Sequence, residues 1–491
     1  MKGVRVMNAV ALLLVAVGLV ESVWGILQLA GILPSRHGLF PLTGSFFNPG
    51  PYGCFLAMLL PLAVYMSMAG DRVTRFAGVA YVLAAVSPLS ASMSRTGWIA
   101  GAAGCGLTIL LLNQNWLTTA GRRILCFMRR RPVISLLSGV VVVVLVAMAV
   151  YGLYAMKSGS ASGRLLMWKI GAQAMAVVPL SGVGWDNVAG TYGEAQEAYF
   201  SLHSDCGEIA VAGSPEYLFN EYLQIGVAYG ALAFMAFILV LCMGVYRGIK
   251  GKAYGFAGSL LAFMTIAFAS YPLQFTLFLV CVCAVVLCCF WSVPCRRFSP
   301  WRFLNCLLTA GACILCFAVA VTRYEREAAR EEWGTGVRRL YHSRAYRAAA
   351  EGYASFYDRL DHDASFLFEY GHSLHKAGEY EESVHILEKA AEVCSDAMVL
   401  NIIGKNRQAM GEYAEAERCF RRSSRRQPAL LYPHYLLMKL YEETGNSAGM
   451  VREARYLMSH KAKVPSPAEK EMRDEACQIL EKSLTLHSDE K

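Results

Sequence analysis

The sequence predicts an all-α protein: a polytopic bundle of about nine membrane-crossing helices followed by a helical solenoid. Three observations carry this expectation. Of the 491 residues, 55% are hydrophobic and 17% charged, and the mean hydropathy is +0.37, a composition that marks membrane proteins rather than soluble domains. Charged side chains are scarce up to Val321 and dense after it, which divides the chain into a membrane domain, 1–323, and a helical domain, 324–486. Within the second part a repeat recurs every 33 or 34 residues, over about 340–460.

Apolar windows of the ~20 residues needed to cross a bilayer core lie near 8–30, 52–69, 74–92, 97–113, 133–156, 220–245, 253–270, 273–292 and 302–322. The first follows Lys2 and Arg5 and is too long for the apolar core of a signal peptide, so it reads as a retained span. Basic residues in short loops stay cytoplasmic. Here they alternate consistently: Lys2 and Arg5, then Arg72 and Arg75, then Arg122 to Arg131, then Arg247, Lys250 and Lys252, then Arg296, Arg297 and Arg302. The net charge of +9 is therefore a topology signal and not a nucleic-acid footprint. An odd number of crossings places the C-terminal domain on the far side of the membrane from the N-terminus.

This pattern sends four polar stretches to that same far side: GLFPLTGSFFNPGPYG, SASMSRTGW, the long loop 157–219, and SYPLQF. Asn, Pro and Gly crowd the first, which suggests a shaped re-entrant loop lining a cavity. The 16 cysteines sit mostly in apolar windows as small hydrophobes; Cys313 and Cys316 form a CxxC without polar ligands nearby.

After the last window come KAGEYEESVHILEKA, AMGEYAEAERCFRRS and ETGNSAGMVREARYL, punctuated by Gly378, Gly411 and Gly445 at steps of 33 and 34. A helix–turn–helix unit of about 34 residues is the tetratricopeptide signature, with Pro428 closing the second copy. Such repeats bind partners, and a protein partner is expected for them.

Arg95 and Arg164 stand at the far-side ends of two windows. A guanidinium near hydrocarbon is costly, and its fork of donors suits phosphate oxygens; interfacial snorkelling or a structural ion pair is the alternative. The long loop carries Asp186, Glu194, Glu197, Asp205, Glu208 and Glu216, Glu221 closes it, and His203 is its one imidazole. Most of these acids are expected to be solvated. Glu216 and Glu221 lie where the loop returns to the membrane, where partial desolvation would tune a carboxylate for general-base work. Glu21, inside the first window with Trp24 and Gln28 on its face, is either a site acid or a hydrogen-bonded packing residue. No His/Cys/Asp cluster has metal-ligand spacing, and there is no P-loop, nucleotide fingerprint or GxSxG elbow. Neither metal nor cofactor is expected.

Taken together, GSFFNPGPYGCFL, SRTGW, SGRLLMW, PLSGVGW and NEYLQIGVAYGALA resemble the O-antigen ligase and polymerase superfamily of bacterial integral membrane glycosyltransferases, over residues 38–285. The resemblance implies an inner-membrane enzyme that takes a glycan from a polyprenyl diphosphate carrier on the periplasmic face. The glycan passes, without metal or nucleotide, to lipid A core, a growing polysaccharide or a protein. It implies diphosphate binding by Arg164 with Arg95 as second arginine, loop shaping by Asn48 and Pro49, and a polar motif at Asn220, Glu221 and Tyr222, with Asn48, Asn220 and Tyr222 joining the arginines in binding diphosphate or glycan. Many ligases have His immediately before that Asn; here Phe219 stands there, and Glu216 or Glu221 is the candidate base. Two other readings are a glycan or lipid transporter, which predicts two repeated halves that the sequence does not display, and a non-enzymatic assembly component, for which a single span would suffice.

Overall fold

The computed structural model describes residues 2–114, 158–203, 207–294, 299–460 and 466–489, with scattered positions between 119 and 152. Every element among them is helical. The chain forms two compact units. The first comprises Met1–Ser158, Phe219–Tyr222 and Ala233–Val321; the second comprises Gly159–Leu218, Leu223–Leu232 and Thr322–Lys491.

In the first unit, α1 (Lys2–Leu29), α2 (Pro49–Ala69), α3 (Arg72–Ala91) and α4 (Arg95–Leu112) follow the first four apolar windows. Pro49 sits in the first turn of α2, where its missing N–H costs nothing, and Asn48 caps that turn by accepting from the Gly50 N–H at 2.9 Å. α2 is apolar all round and buried without interruption from Pro51 to Leu59, as a helix with no polar face must be. Tyr52, Phe55, Leu59, Phe263 and Phe278 share its core. The long loop itself contains α5 (Ser158–Val177) and α6 (Val188–Leu202); after it come α7 (Glu221–Lys250), α8 (Tyr254–Ala269) and α9 (Thr276–Trp291).

Six of the described helices are long and apolar enough to span a membrane. The windows expected at 253–270 and 273–292 form the shorter apolar helices α8 and α9. The window at 133–156 lies, apart from scattered positions, outside the described residues. The chain is a multi-pass membrane protein.

The window at 302–322 does not end where its apolar run ends. α10 (Pro300–Thr335) continues as one helix of 36 residues, ~54 Å at 1.5 Å per residue, through Arg323 and into the charged region.

The C-terminal part of the second unit is a series of helix hairpins. They pair α11 (Val337–His342) with α12 (Tyr346–Ala354), α13 (Ala364–Ala377) with α14 (Tyr380–Val393), α15 (Ala397–Ala409) with α16 (Tyr413–Arg426), and α17 (Tyr432–Glu443) with α18 (Ser447–Ser459); α19 (Pro467–Asp489) follows. Gly378, Gly411 and Gly445 occupy the hairpin turns with φ of 89°, 79° and 72°, the left-handed region that glycine enters without a Cβ penalty.

The structure adds a hairpin that the glycine pattern misses. Arg344, 34 residues before Gly378, takes the same turn position with φ 65°. Tyr346 then opens α12 as Tyr380 and Tyr413 open α14 and α16. That tyrosine spacing of 34 and 33 was the available signal.

His372 is half-buried between hairpins and accepts from the Tyr341 hydroxyl at 2.8 Å if neutral at Nδ1. Burial, reinforced by Lys376, His375 and Lys405, pushes its imidazole down to about 4.

Two predictions follow from these turns and this histidine. Arg344→Gly removes a left-handed side chain and should raise the stability of the hairpin series by about 1 kcal/mol, read as a higher thermal midpoint. The unfolded chain protonates His372 at its ordinary value near 6.5 while the folded chain resists until about 4. Its contribution is therefore fully present above pH 6.5 and lost as pH falls toward 4. A melting series across that range should show the decline, and His372→Gln should flatten it.

Candidate functional site

Three of the four polar stretches, together with the start of α7, meet at one end of the first unit. The first loop is held by α1 from beneath. The Glu21 carboxylate accepts from the Ser45 N–H at 3.0 Å, and Gln28 Oε1 accepts from the N–H groups of Thr43 and Gly44 at 2.9 and 2.8 Å. Both side chains are buried. Of the two readings of Glu21, the hydrogen-bonded packing residue is the one observed.

The second stretch joins through Ser94. Its hydroxyl donates to the Gly50 carbonyl at 3.0 Å and caps α4 through the Gly97 N–H. Arg95 is the first residue of that helix and is half-buried. The SYPLQF stretch, a single 3-10 turn at Pro272–Gln274, closes the group. Phe275 packs on Phe46 and Phe47 with ring centroids 5.0 and 5.6 Å apart, and Tyr271 meets Phe219 edge-on at 4.8 Å.

Glu221, 1% exposed, opens α7 and accepts from the Leu273 N–H at 2.7 Å. Asn220 beside it is buried too. The Tyr222 hydroxyl donates to the Met264 carbonyl at 3.0 Å. Two residues in this group hold the left-handed conformation despite bulky side chains: Met93 and Phe219, each with φ 50°. Such strain costs on the order of 1–3 kcal/mol and gathers at functional sites. One precedes the helix that begins at Arg95, the other the Asn220–Glu221 pair.

The second unit contains Arg164 and Glu216. Arg164 lies in the second turn of α5 and is half-buried. Glu216 departs from the expectation of a desolvated carboxylate: it is exposed and accepts from the Tyr217 hydroxyl at 2.6 Å.

Two of the sequence motifs explain each other. The Gly182–Gly184 segment of PLSGVGW runs along Val227 and Ala228 of GVAYGALA, with the N–H groups of Val183 and Gly184 donating to their carbonyls at 3.1 and 2.9 Å. Gly230 kinks α7 there with φ 83° and ψ 175°. A Cβ on it would stand 1.8 Å from the Leu180 carbonyl oxygen, so only glycine fits.

The rest of the long loop packs on the hairpins. α6 lies against α14 and α16, and at Gly190 a Cβ would come within 2.0 Å of the Glu392 carbonyl oxygen. Gln196 donates to the Arg426 carbonyl. The Glu197 carboxylate accepts from Arg422 at 2.9 Å and pairs with Arg426 at 3.6 Å. Arg326 grips Asp186 with both terminal nitrogens at 3.1 and 2.9 Å. Glu208 accepts from Tyr199 and from Lys169, and these bonds, that of Tyr199 first, hold its carboxyl below the usual range. Of the acids expected to be solvated, Asp186, Glu197 and Glu208 are thus paired; Asp205 lies outside the described residues. Arg426 is fully buried, two of its guanidinium nitrogens lack a hydrogen-bond partner among the described residues, and burial pushes its ionisation down. Sequence inspection missed it because a single Arg in RRSSRR carries no signal of burial.

Residues 79–238 match the family model described as O-antigen ligase. The chain carries an O-antigen ligase domain. The match runs from within α3 to within α7 and so includes Arg95, Arg164, Glu216, Asn220, Glu221 and Tyr222; Asn48 and the hairpins lie outside the matched ligase segment. No curated protein matches the chain.

Removing one member of a buried pair strands the other charge, at about 3 kcal/mol or more, whereas apolar replacement of the stranded partner relieves most of that cost. Glu197→Gln should therefore lower the melting point of the second unit and speed proteolysis of the long loop. The double change Glu197→Gln with Arg426→Met should recover most of the loss. Equal melting of all three proteins would show that α6 is held otherwise.

Proposed function

We propose that the protein is a glycosyltransferase of surface-polysaccharide assembly, moving a glycan from a polyprenyl diphosphate carrier to an acceptor hydroxyl on the periplasmic face of the inner membrane. The reading is supported above all by one observation: the stretches bearing Asn48, Arg95 and Asn220–Glu221 are tied together at one end of the membrane bundle, within and beside the O-antigen ligase match.

The chemistry asks for few parts. The acceptor oxygen attacks the anomeric carbon, the bond from that carbon to the diphosphate oxygen breaks, and the diphosphate leaves with the electron pair. Arg95 and Arg164 are the groups assigned to the phosphates, where fixed cations stabilise the charge that grows as the bond breaks. The acceptor proton passes to a carboxylate or to water, with Glu221 the better-placed base because its helix start and the Leu273 N–H fix its position. Asn48, whose side chain caps α2, and Tyr222, whose hydroxyl is bonded inside the bundle, are assigned to shaping the site rather than to holding glycan. The hairpins resemble tetratricopeptide repeats, and in this reading they lie on the periplasmic side. They offer a surface to a protein partner and steady the long loop through α6.

Deleting the gene and resolving the glycoconjugates by gel and mass spectrometry identifies the acceptor: capped lipopolysaccharide, long polymer or glycoprotein is lost. Arg95→Ala and Arg164→Ala should each lower transfer by about 10²-fold or more while the protein still inserts. Glu221→Gln should lower it by at least ~10²-fold if Glu221 takes the proton. Full transfer by both arginine variants, or a cytosolic reporter signal from fusions near Trp185, would overturn the reading.

A further inference from the structure

The opposite, cation-rich end of the first unit holds a cavity of about 290 Å³ between the end of α7 and the beginning of α10. Met243, Tyr246, Arg247 and Lys250 line it from α7, spaced as one helical stripe. Ser299 and Trp301 line it from the start of α10. Among the described residues its lining contains two cations and no carboxylate.

The cations differ in how they are held. Arg247 is buried; its Nε and Nη2 donate to the Phe290 carbonyl at 3.2 and 2.7 Å, and its guanidinium lies 5.0 Å from the centre of the Trp301 ring. A cation fixed at that depth presents its field to the cavity without having to be ordered by a ligand. Lys250 is exposed, one turn further along the same stripe, with its ammonium 5.8 Å from the Tyr246 ring. Ser299 precedes the first turn of the 36-residue α10, whose backbone N–H groups add positive potential at the mouth. Beyond the mouth, Leu239 on α7 and Phe303 and Leu307 on α10 are exposed apolar side chains at 62%, 73% and 58%. Trp301, an amphipathic ring of the kind found at headgroup depth, marks the boundary.

We infer that this cavity is a binding site for a phosphate ester, and that its occupant is the headgroup of an anionic glycerophospholipid. The cavity is too small for a whole lipid but of a size for a phosphate and its glycerol, and the apolar side chains beyond the mouth continue the site toward the acyl chains. Basic pockets between membrane helices recognise anionic headgroups by this division of labour. The site is separate from the residues assigned to glycan transfer, and it stands if that assignment fails.

The test uses the full-length protein in nanodiscs containing phosphatidylcholine and phosphatidylglycerol, followed by native mass spectrometry of the lipid retained. Phosphatidylglycerol should be retained in preference to phosphatidylcholine. Lys250→Gln should reduce that retention about fivefold, as ~1 kcal/mol per surface cation implies. Arg247→Gln should reduce it at least as much, and because Lys250 is exposed its variant keeps the result readable if Arg247→Gln fails to fold. Retention that persists against excess inorganic phosphate identifies the lipid as occupant. Displacement by phosphate alone assigns the site to the free ion and overturns the lipid. No preference for phosphatidylglycerol, or equal retention by wild type and Lys250→Gln, overturns the site itself.

Discussion

A non-helical loop packed among helices has no water at its buried backbone, so each buried N–H must find a partner inside the protein. The architecture of the first unit follows from that requirement. Glu21 and Gln28 are carried on a largely apolar α1, and they serve as acceptors for Ser45, Thr43 and Gly44. Glu221 does the same for Leu273, and Asn48 for Gly50. An unpaired buried donor would cost on the order of 1–3 kcal/mol, so these few polar side chains determine where the loops can lie. Aromatic rings then fill the space between the loops, Phe275 against Phe46 and Phe47 and Tyr271 against Phe219. Ordered loops beside two strained residues make a pre-shaped end of the bundle, which is what transfer between two bulky substrates would require.

The second unit is organised around a different cost. Burying Arg426 is unfavourable by itself, and the Glu197 carboxylate, shared with Arg422, offsets it. The pairing brings α6 of the long loop against α14 and α16, with Gly190 allowing the backbones to touch. The hairpins therefore have a binding partner within their own chain. A loop of some sixty residues would otherwise carry a large ordering entropy; α6 is seated on a helical platform instead.

How far the sequence could be read depended on the range of the interaction involved. Helix positions in α1 to α4 followed from runs of apolar residues, a local property, and the hairpin turns followed from glycines at a fixed period. Arg344 escaped notice because the turn tolerates a non-glycine residue there at some cost, and only the tyrosine spacing betrays it. The acids of the long loop were legible as a set but not as individuals. Asp186, Glu197 and Glu208 find cations 140, 225 and 39 residues away, and nothing in their neighbourhood announces this. Glu216 and Glu221 are five residues apart, yet one is exposed and the other buried, with its carboxylate bonded to the Leu273 N–H of the SYPLQF turn.

The sequence by itself determined the class of protein, the apolar helices, the ligase motifs and the repeat, since hydropathy, composition and periodicity are written residue by residue. The tertiary structure alone decided which polar groups meet: that Glu21 serves a loop, that PLSGVGW rests on the Gly230 kink, and that α6 belongs with the hairpins. Those outcomes depend on satisfying buried donors and charges across long separations in the chain, and that matching exists only once the helices have packed.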